Sequence, residues 1–119
     1  MLRESRGARR YNEPIMLTLA EAVTDAFGHA ALGEPVDVLA VYAQVRQMSA
    51  TKTRMTFQQA DVVGVDIEFR LPHDGTRWNG ITWRGRRIHF PRPEVVDERN
   101  MVVRVSGWYQ ADNPVQGNG

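Results

Sequence analysis

The sequence predicts a mainly β fold, a small antiparallel barrel of about six strands with one short inserted helix and long loops. Three stretches carry that expectation. Val63, Val65, Ile67 and Phe69 alternate with Gly64, Asp66, Glu68 and Arg70, the period-two pattern of a strand with one buried and one wet face. The run from Trp83 to Phe90 reverses at Gly85, where a tight hairpin turn asks for positive φ, and Ile88 and Phe90 stand two residues apart on the returning arm. Met101, Val103 and Val105 alternate with Val102, Arg104 and Ser106 ahead of Trp108 and Tyr109. Connections this short predict neighbouring antiparallel strands, a meander or small barrel, rather than a parallel sheet.

The remaining elements follow in order. Residues 1–13 hold Arg3, Arg6, Arg9 and Arg10 without a period that could bury a face, so they read as a flexible N-terminal arm. The barrel domain is expected over 14–109. Ile15, Leu17 and Leu19 line one face of a strand over Ile15–Val23; a helix from Leu17 to Phe27 competes, because Leu19, Val23 and Phe27 are spaced by four. Two turn signals, Asp25-Ala-Phe-Gly28 and Leu32-Gly-Glu-Pro35, make Thr24–Pro35 a long loop. Val36–Met48 is the longest extended run, with Leu39, Val41, Ala43 and Val45 on one face and Val38 and Tyr42 on the other, under partial cover.

Ser49 or Thr51 offers an N-cap to a short, threonine-rich helix that needs packing through Met55 and Gln59 or Ala60. Both Thr24–Pro35 and Ser49–Ala60 are expected to be loose in an isolated subunit. Turns fall at Leu71–Gly75 and Asp97–Asn100, Pro91 and Pro93 end the hairpin's second arm, and 110–119 reads as a flexible tail. The expected core is Val41, Val45, Val63, Val65, Ile67, Phe69, Ile88, Phe90, Val103 and Val105.

At 119 residues the chain is sized for one domain, and 42% hydrophobic with 24% charged residues is ordinary for a globular fold. Fifteen Lys+Arg against 14 Asp+Glu leave a net charge of +1, far from the balance of a dedicated nucleic-acid binder. Only Lys52 is a lysine; the arginines suit planar recognition of carboxylates, so a protein partner is favoured over DNA. There is no cysteine, hence no disulfide and no thiolate metal site, which fits work or assembly in a reducing cytoplasm. No apolar run reaches the roughly 18 residues of a membrane span.

No catalytic, cofactor or metal site is expected. His29, His73 and His89 stand in separate segments without a second ligand at metal-site spacing, and turn geometry accounts for His73-Asp74. A nucleophile elbow, a phosphate loop and the dinucleotide glycine fingerprint are all missing. Two competing readings stay open. Arg84, Arg86, Arg87 and Arg92 around Trp83 and Phe90 look like the basic and aromatic surface of a single-strand nucleic-acid binder. An unrecognised small enzyme would instead need a cleft of buried ionisable groups.

In order and spacing, Asp25-Ala-Phe-Gly28, Tyr42 within Val41–Arg46, the short polar helix, Arg70 closing Val65–Arg70, and the Gly85 turn followed by Ile88 resemble the phage head-tail joining, or head-closure, family: the stopper proteins of siphophage connectors. The resemblance spans residues 14 to 108. The long arginine-bearing N-terminus departs from the family pattern, as does Tyr42 where tryptophan is more usual. What the resemblance implies is a virion protein without enzymatic activity, forming a homo-oligomeric ring of six or twelve subunits. Portal or adaptor would lie above it and the tail terminator or tail tube protein below, with packaged DNA in the channel and no sequence-specific binding. Interface residues would then be Arg9, Arg10, Arg84, Arg86, Arg87, Phe27 and Met55, the arginines pairing with carboxylates of neighbouring subunits or of the adaptor.

Overall fold

The structure, a computed structural model that describes residues 11–59 and 61–111, has nine strands and one helix among those residues. In chain order they are β1 (Glu13–Leu19), β2 (Ala22–Thr24), β3 (Ala30–Leu32), β4 (Val36–Gln47), α1 (Ala50–Phe57), β5 (Val62–Arg70), β6 (Gly80–Trp83), β7 (Arg86–Ile88), β8 (Glu94–Asp97) and β9 (Val102–Gln110). Seven form one antiparallel sheet in the order β7-β6-β1-β4-β5-β9-β8, while β2 and β3 pair only with each other. The sheet curls into a half-barrel. A single bridge joins its flanks: the amides of His89 and Trp108 donate to each other's carbonyls at 2.8 and 2.9 Å. Gly107 makes that approach possible, since a Cβ there would lie 2.5 Å from the His89 carbonyl oxygen and 2.9 Å from the Ile88 side chain.

The apolar alternation fills the inside of this curl. Val65, Ile67, Phe69, Ile88, Val103 and Val105 are buried as expected, and Val41, Val45, Val63 and Phe90 pack against them half-buried. Ile15, Leu17, Ile81, Trp83 and Tyr109 complete the core from strands whose role the pattern assigned less firmly. Phe69 and Trp78 meet edge-on at 5.5 Å between ring centroids, and Trp83 and Tyr109 at 5.9 Å, the edge-to-face arrangement that ring quadrupoles favour.

The structure corrects several expectations. The strands after Asp61 are not one meander: β5 lies between β4 and β9, whereas β6 and β7 attach to β1 on the far side. Both edges of β5 are taken by long ladders, all nine of its residues pairing with β9 and Val65–Phe69 with β4, a length that four-residue β6 could not match. The first strand ends at Leu19, no helix forms over Leu17–Phe27, and Thr24–Pro35 is not a loop but the turn and return of the β2–β3 hairpin. β8 arises where no alternation announced it, with both Val95 and Val96 exposed.

Ser49 does cap α1, accepting from the Lys52 amide at 3.0 Å, but Met55 is 76% exposed and Gln59 is also exposed. Ala60 lies outside the described residues. The helix docks instead through buried Thr53, whose Oγ1 accepts from the Gly64 amide at 3.2 Å; a Cβ at Gly64 would strike Met48, Thr53 and Phe57. At the termini, Tyr11 is tied to Glu68 by a 2.6 Å hydrogen bond, Glu13 already belongs to β1, and β9 runs through Gln110.

Candidate functional site

Three exposed surfaces stand out, each built on a different local rule. The first is the β2–β3 arm, inserted between β1 and β4. Asp25 makes its turn: Oδ1 accepts from the amides of Phe27 and His29, both at 2.8 Å, while Oδ2 lies 3.3 Å from the His29 ring. These bonds, led by the His29 amide, hold the Asp25 carboxyl below its ordinary value. All six strand residues, Ala22, Val23, Thr24, Ala30, Ala31 and Leu32, are exposed, and Phe27 at the tip is 84% exposed. From Glu21 to Pro35 the charges are Glu21, Asp25 and Glu34, with no Lys or Arg.

The root of the arm is fixed by Asn79. Its side chain behaves as a spare peptide, Oδ1 accepting from the Ala20 amide at 2.9 Å and Nδ2 donating to the Ala20 carbonyl at 2.8 Å, while its own amide donates to Thr18. The Gly33 amide closes the base by donating to the Glu21 carbonyl at 2.8 Å. An open groove beside this root is lined by Leu32, Glu34, Asn79, Arg87 and Phe90, among others.

The second surface is the β6–β7 hairpin, where Arg84 and Gly85, with φ of 53° and 75°, form the two central residues of a tight turn. Arg84 donates to both carboxylate oxygens of Glu13 at 3.1 Å and lies over the Trp83 ring, whose Nε1 donates to the same carboxylate at 3.1 Å. Arg86 is half-buried and sits 4.8 Å over the Tyr109 ring. Arg87 is exposed on the outer side of β7, paired across the ladder with Thr82.

The third is the outer face of the half-barrel, which is divided. Over β5 and β9 it is polar: Arg104 pairs with Glu68 at 3.3 Å, Ser106 donates to Asp66 at 2.6 Å, and Gln44 and Arg46 lie opposite Glu68 and Asp66. Over β1 and β4 it is apolar: Pro14 lies opposite Tyr42 and Met16 opposite Ala40, on the side away from buried Ile15 and Leu17. Tyr42 is 65% exposed, so the cover expected over Val38 and Tyr42 is not provided by the described residues. Across the ladder, Met16 is followed by Thr82 and then Arg87.

Of the residues singled out from sequence, Arg84, Arg86 and Arg87 share one hairpin, Phe27 tips the arm and Met55 projects from α1. Arg9 and Arg10 lie outside the described residues. Sequence reasoning missed the clasp of Asn79, the Glu13 brace and the continuation of the apolar Tyr42 side of β4 across Pro14 and Met16. Asn79 just before Gly80 and the even-numbered apolar residues Pro14, Met16, Ala40 and Tyr42 were the signals that could have found them. Among the described residues no group of three or more His, Asp or Glu could hold a metal ion, and no helix is long and apolar enough to cross a membrane.

No protein-family model and no curated protein matches the chain. Among solved structures it is similar to a chain of the virion of a native gene transfer agent particle, at 16% identity and a TM-score of 0.63, covering 84% of this chain and 94% of that one. It is also similar to protein SF1141 from Shigella flexneri 2a, at 15% identity and a TM-score of 0.57, covering 87% of this chain and 96% of that one. At such identities the likeness is one of fold.

Proposed function

We propose that this chain is a non-enzymatic structural protein of a phage-like virion. In this reading it is a head-tail connector subunit that forms a ring, six-fold or twelve-fold, below the portal or adaptor. The ring closes the DNA-filled head and offers the surface on which a tail terminator or tail tube protein docks. The observation that carries the reading is the fold likeness to a virion chain of a gene transfer agent, which takes in 84% of this chain and 94% of that one. The family resemblance in the landmarks from Asp25 to Ile88 points the same way.

Surface chemistry supports it as well. A subunit lining a DNA channel works best without strong sequence-independent attraction, and a net charge of +1 keeps that attraction weak. Because Arg84 is engaged by Glu13 within the chain, contact with carboxylates of a neighbour or of the adaptor falls chiefly to Arg87, with Arg86 beside it, and to Arg9 and Arg10. Phe27 and Met55 supply exposed apolar contacts. The protein assembles in the host cytoplasm and resides at the head-tail interface.

The test is assembly of heads with Arg87→Glu, alone and combined with Arg86→Glu. Exposed charge contributes little to stability, so the Arg87 variant folds, while tails fail to join and filled heads leak DNA. Normal infectious yield from both variants would contradict the hairpin's role. Tight binding of DNA by the wild-type protein at physiological salt would favour a nucleic-acid-binding barrel instead.

A further inference from the structure

We propose that the β2–β3 arm of one copy lies across the Pro14–Tyr42 strip of the next copy, and that this head-to-tail contact is what propagates the ring. The inference rests on the ring reading above and adds which surfaces meet.

The arm cannot be understood as a finished surface. An isolated two-stranded hairpin is marginal in water, and this one pairs with no other strand. Five of its six strand residues are apolar, all six are exposed, and Phe27 extends the same character to the tip. A ribbon with both faces in solvent carries polar residues on both; this one is apolar on both faces, the composition of a ribbon that is covered.

The strip is its complement in apolar character and charge. An antiparallel sheet normally carries polar residues outside, as this one does over β5 and β9, yet Pro14, Met16, Ala40 and Tyr42 leave an apolar band over β1 and β4. Exposed arginines flank it. Arg87 closes the row that runs through Ala40, Met16 and Thr82, and Arg70 follows Phe69, the residue opposite Ala43, so it comes next to Tyr42. The arm carries Glu21, Asp25 and Glu34 and no Lys or Arg, Glu21 lying 4.0 Å from Arg77 of the same chain. An acidic, apolar ribbon thus faces an apolar band edged with arginine, the complementarity that fixes register between partners. Arm and strip are different surfaces of one chain, so the contact is heterologous, and heterologous contacts close into rings when the rotation permits.

The chain has no cysteine, which makes the test clean. Full-length Phe27→Cys and Tyr42→Cys proteins, both changed at exposed positions, are mixed and oxidised, with a short bis-maleimide as a second linker. Val23→Cys with Met16→Cys gives an independent pair in case the register is offset. We expect mixed cross-links to dominate over links between like variants. Only Phe27→Cys to Phe27→Cys products would mean the arms pair with each other and would overturn the inference. Rings seen by electron microscopy without mixed cross-links from either pair would overturn it while leaving the connector reading intact. Mixed cross-links without any ring on portal or adaptor would uphold the contact and count against the connector.

Discussion

Two hairpins of the protein, β6–β7 and β2–β3, are similar in size and obey opposite rules. β6–β7 carries arginine on its surface yet is anchored in the core: Trp83 and Ile88 are 5% and 3% exposed, Glu13 braces Arg84 and Trp83 together, and Arg86 lies on Tyr109. β2–β3 is apolar on both faces and buries none of its strand residues; it is shaped by the Asp25 turn and held at its root by Asn79. Tertiary packing fixes the first, local hydrogen bonding the second. The first therefore contributes directly to the stability of the subunit through its buried side, whereas the second contributes little to it.

The largest effect that follows is an asymmetry between two aromatic truncations. Trp83→Ala removes a buried ring and its hydrogen bond to Glu13 and should cost about 3–5 kcal/mol in urea denaturation, comparable to Phe69→Ala. Phe27→Ala should stay within about 0.5 kcal/mol of wild type. Equal losses would show that the arm packs inside the monomer after all.

Next comes the seam that brings the β6–β7 side of the sheet against β9. Gly107→Val forces its side chain into the His89 carbonyl and Ile88, and such overpacking costs about 1–3 kcal/mol. Amide exchange at His89 and Trp108 should rise well before exchange in the centre of β5, whereas the Asp25 turn should be untouched. Unchanged protection of the two seam amides would refute the role given to the bridge.

A smaller change sharpens the role of the brace. Glu13→Gln keeps the shape but removes the charge facing Arg84, whose side chain is 64% exposed, so the loss should be at most about 1 kcal/mol. A double-mutant cycle with Arg84→Met measures it, and a coupling indistinguishable from zero would mean that the tip is held by Trp83 and Tyr109 alone.

The smallest effect is in the arm itself and depends on pH. The amides of His29 and Phe27 hold the Asp25 carboxyl below its ordinary value of 3.8. A depressed folded value means that the stabilisation is present above pH 3.8 and is lost as pH falls through the lower folded value. The amide resonances of Phe27 and His29 should therefore shift together in acid, and Asp25→Asn should abolish their common transition. A shift that survives in Asp25→Asn would assign it to another group.

Much of the half-barrel was legible because period-two burial leaves its mark directly in the residues: Val65, Ile67 and Phe69 read inward, and the Gly85 turn announced β6–β7. Order across the sheet was not legible. The stretch Leu71–Asn79 gives no sign that the chain leaves β5 and rejoins on the far side of β1, because that choice is made by which strands are long enough to pair along the edges of β5. The arm was read as a loop for a related reason. Ala22, Val23, Thr24, Ala30, Ala31 and Leu32 show no alternation, since neither face is buried within the chain, and alternation is the signal by which strands are found. The Pro14–Tyr42 strip was legible only in part: Val38 and Tyr42 read as an apolar second face of their strand, while nothing in the sequence showed that Pro14 and Met16 continue it across β1.

The most direct test of the whole account is electron microscopy of the purified full-length protein mixed with the portal and adaptor of the same particle. The account predicts a ring with an open axial channel seated on the adaptor, each subunit's β2–β3 arm covered by its neighbour. Particles that stay monomeric beside a bare adaptor would contradict it.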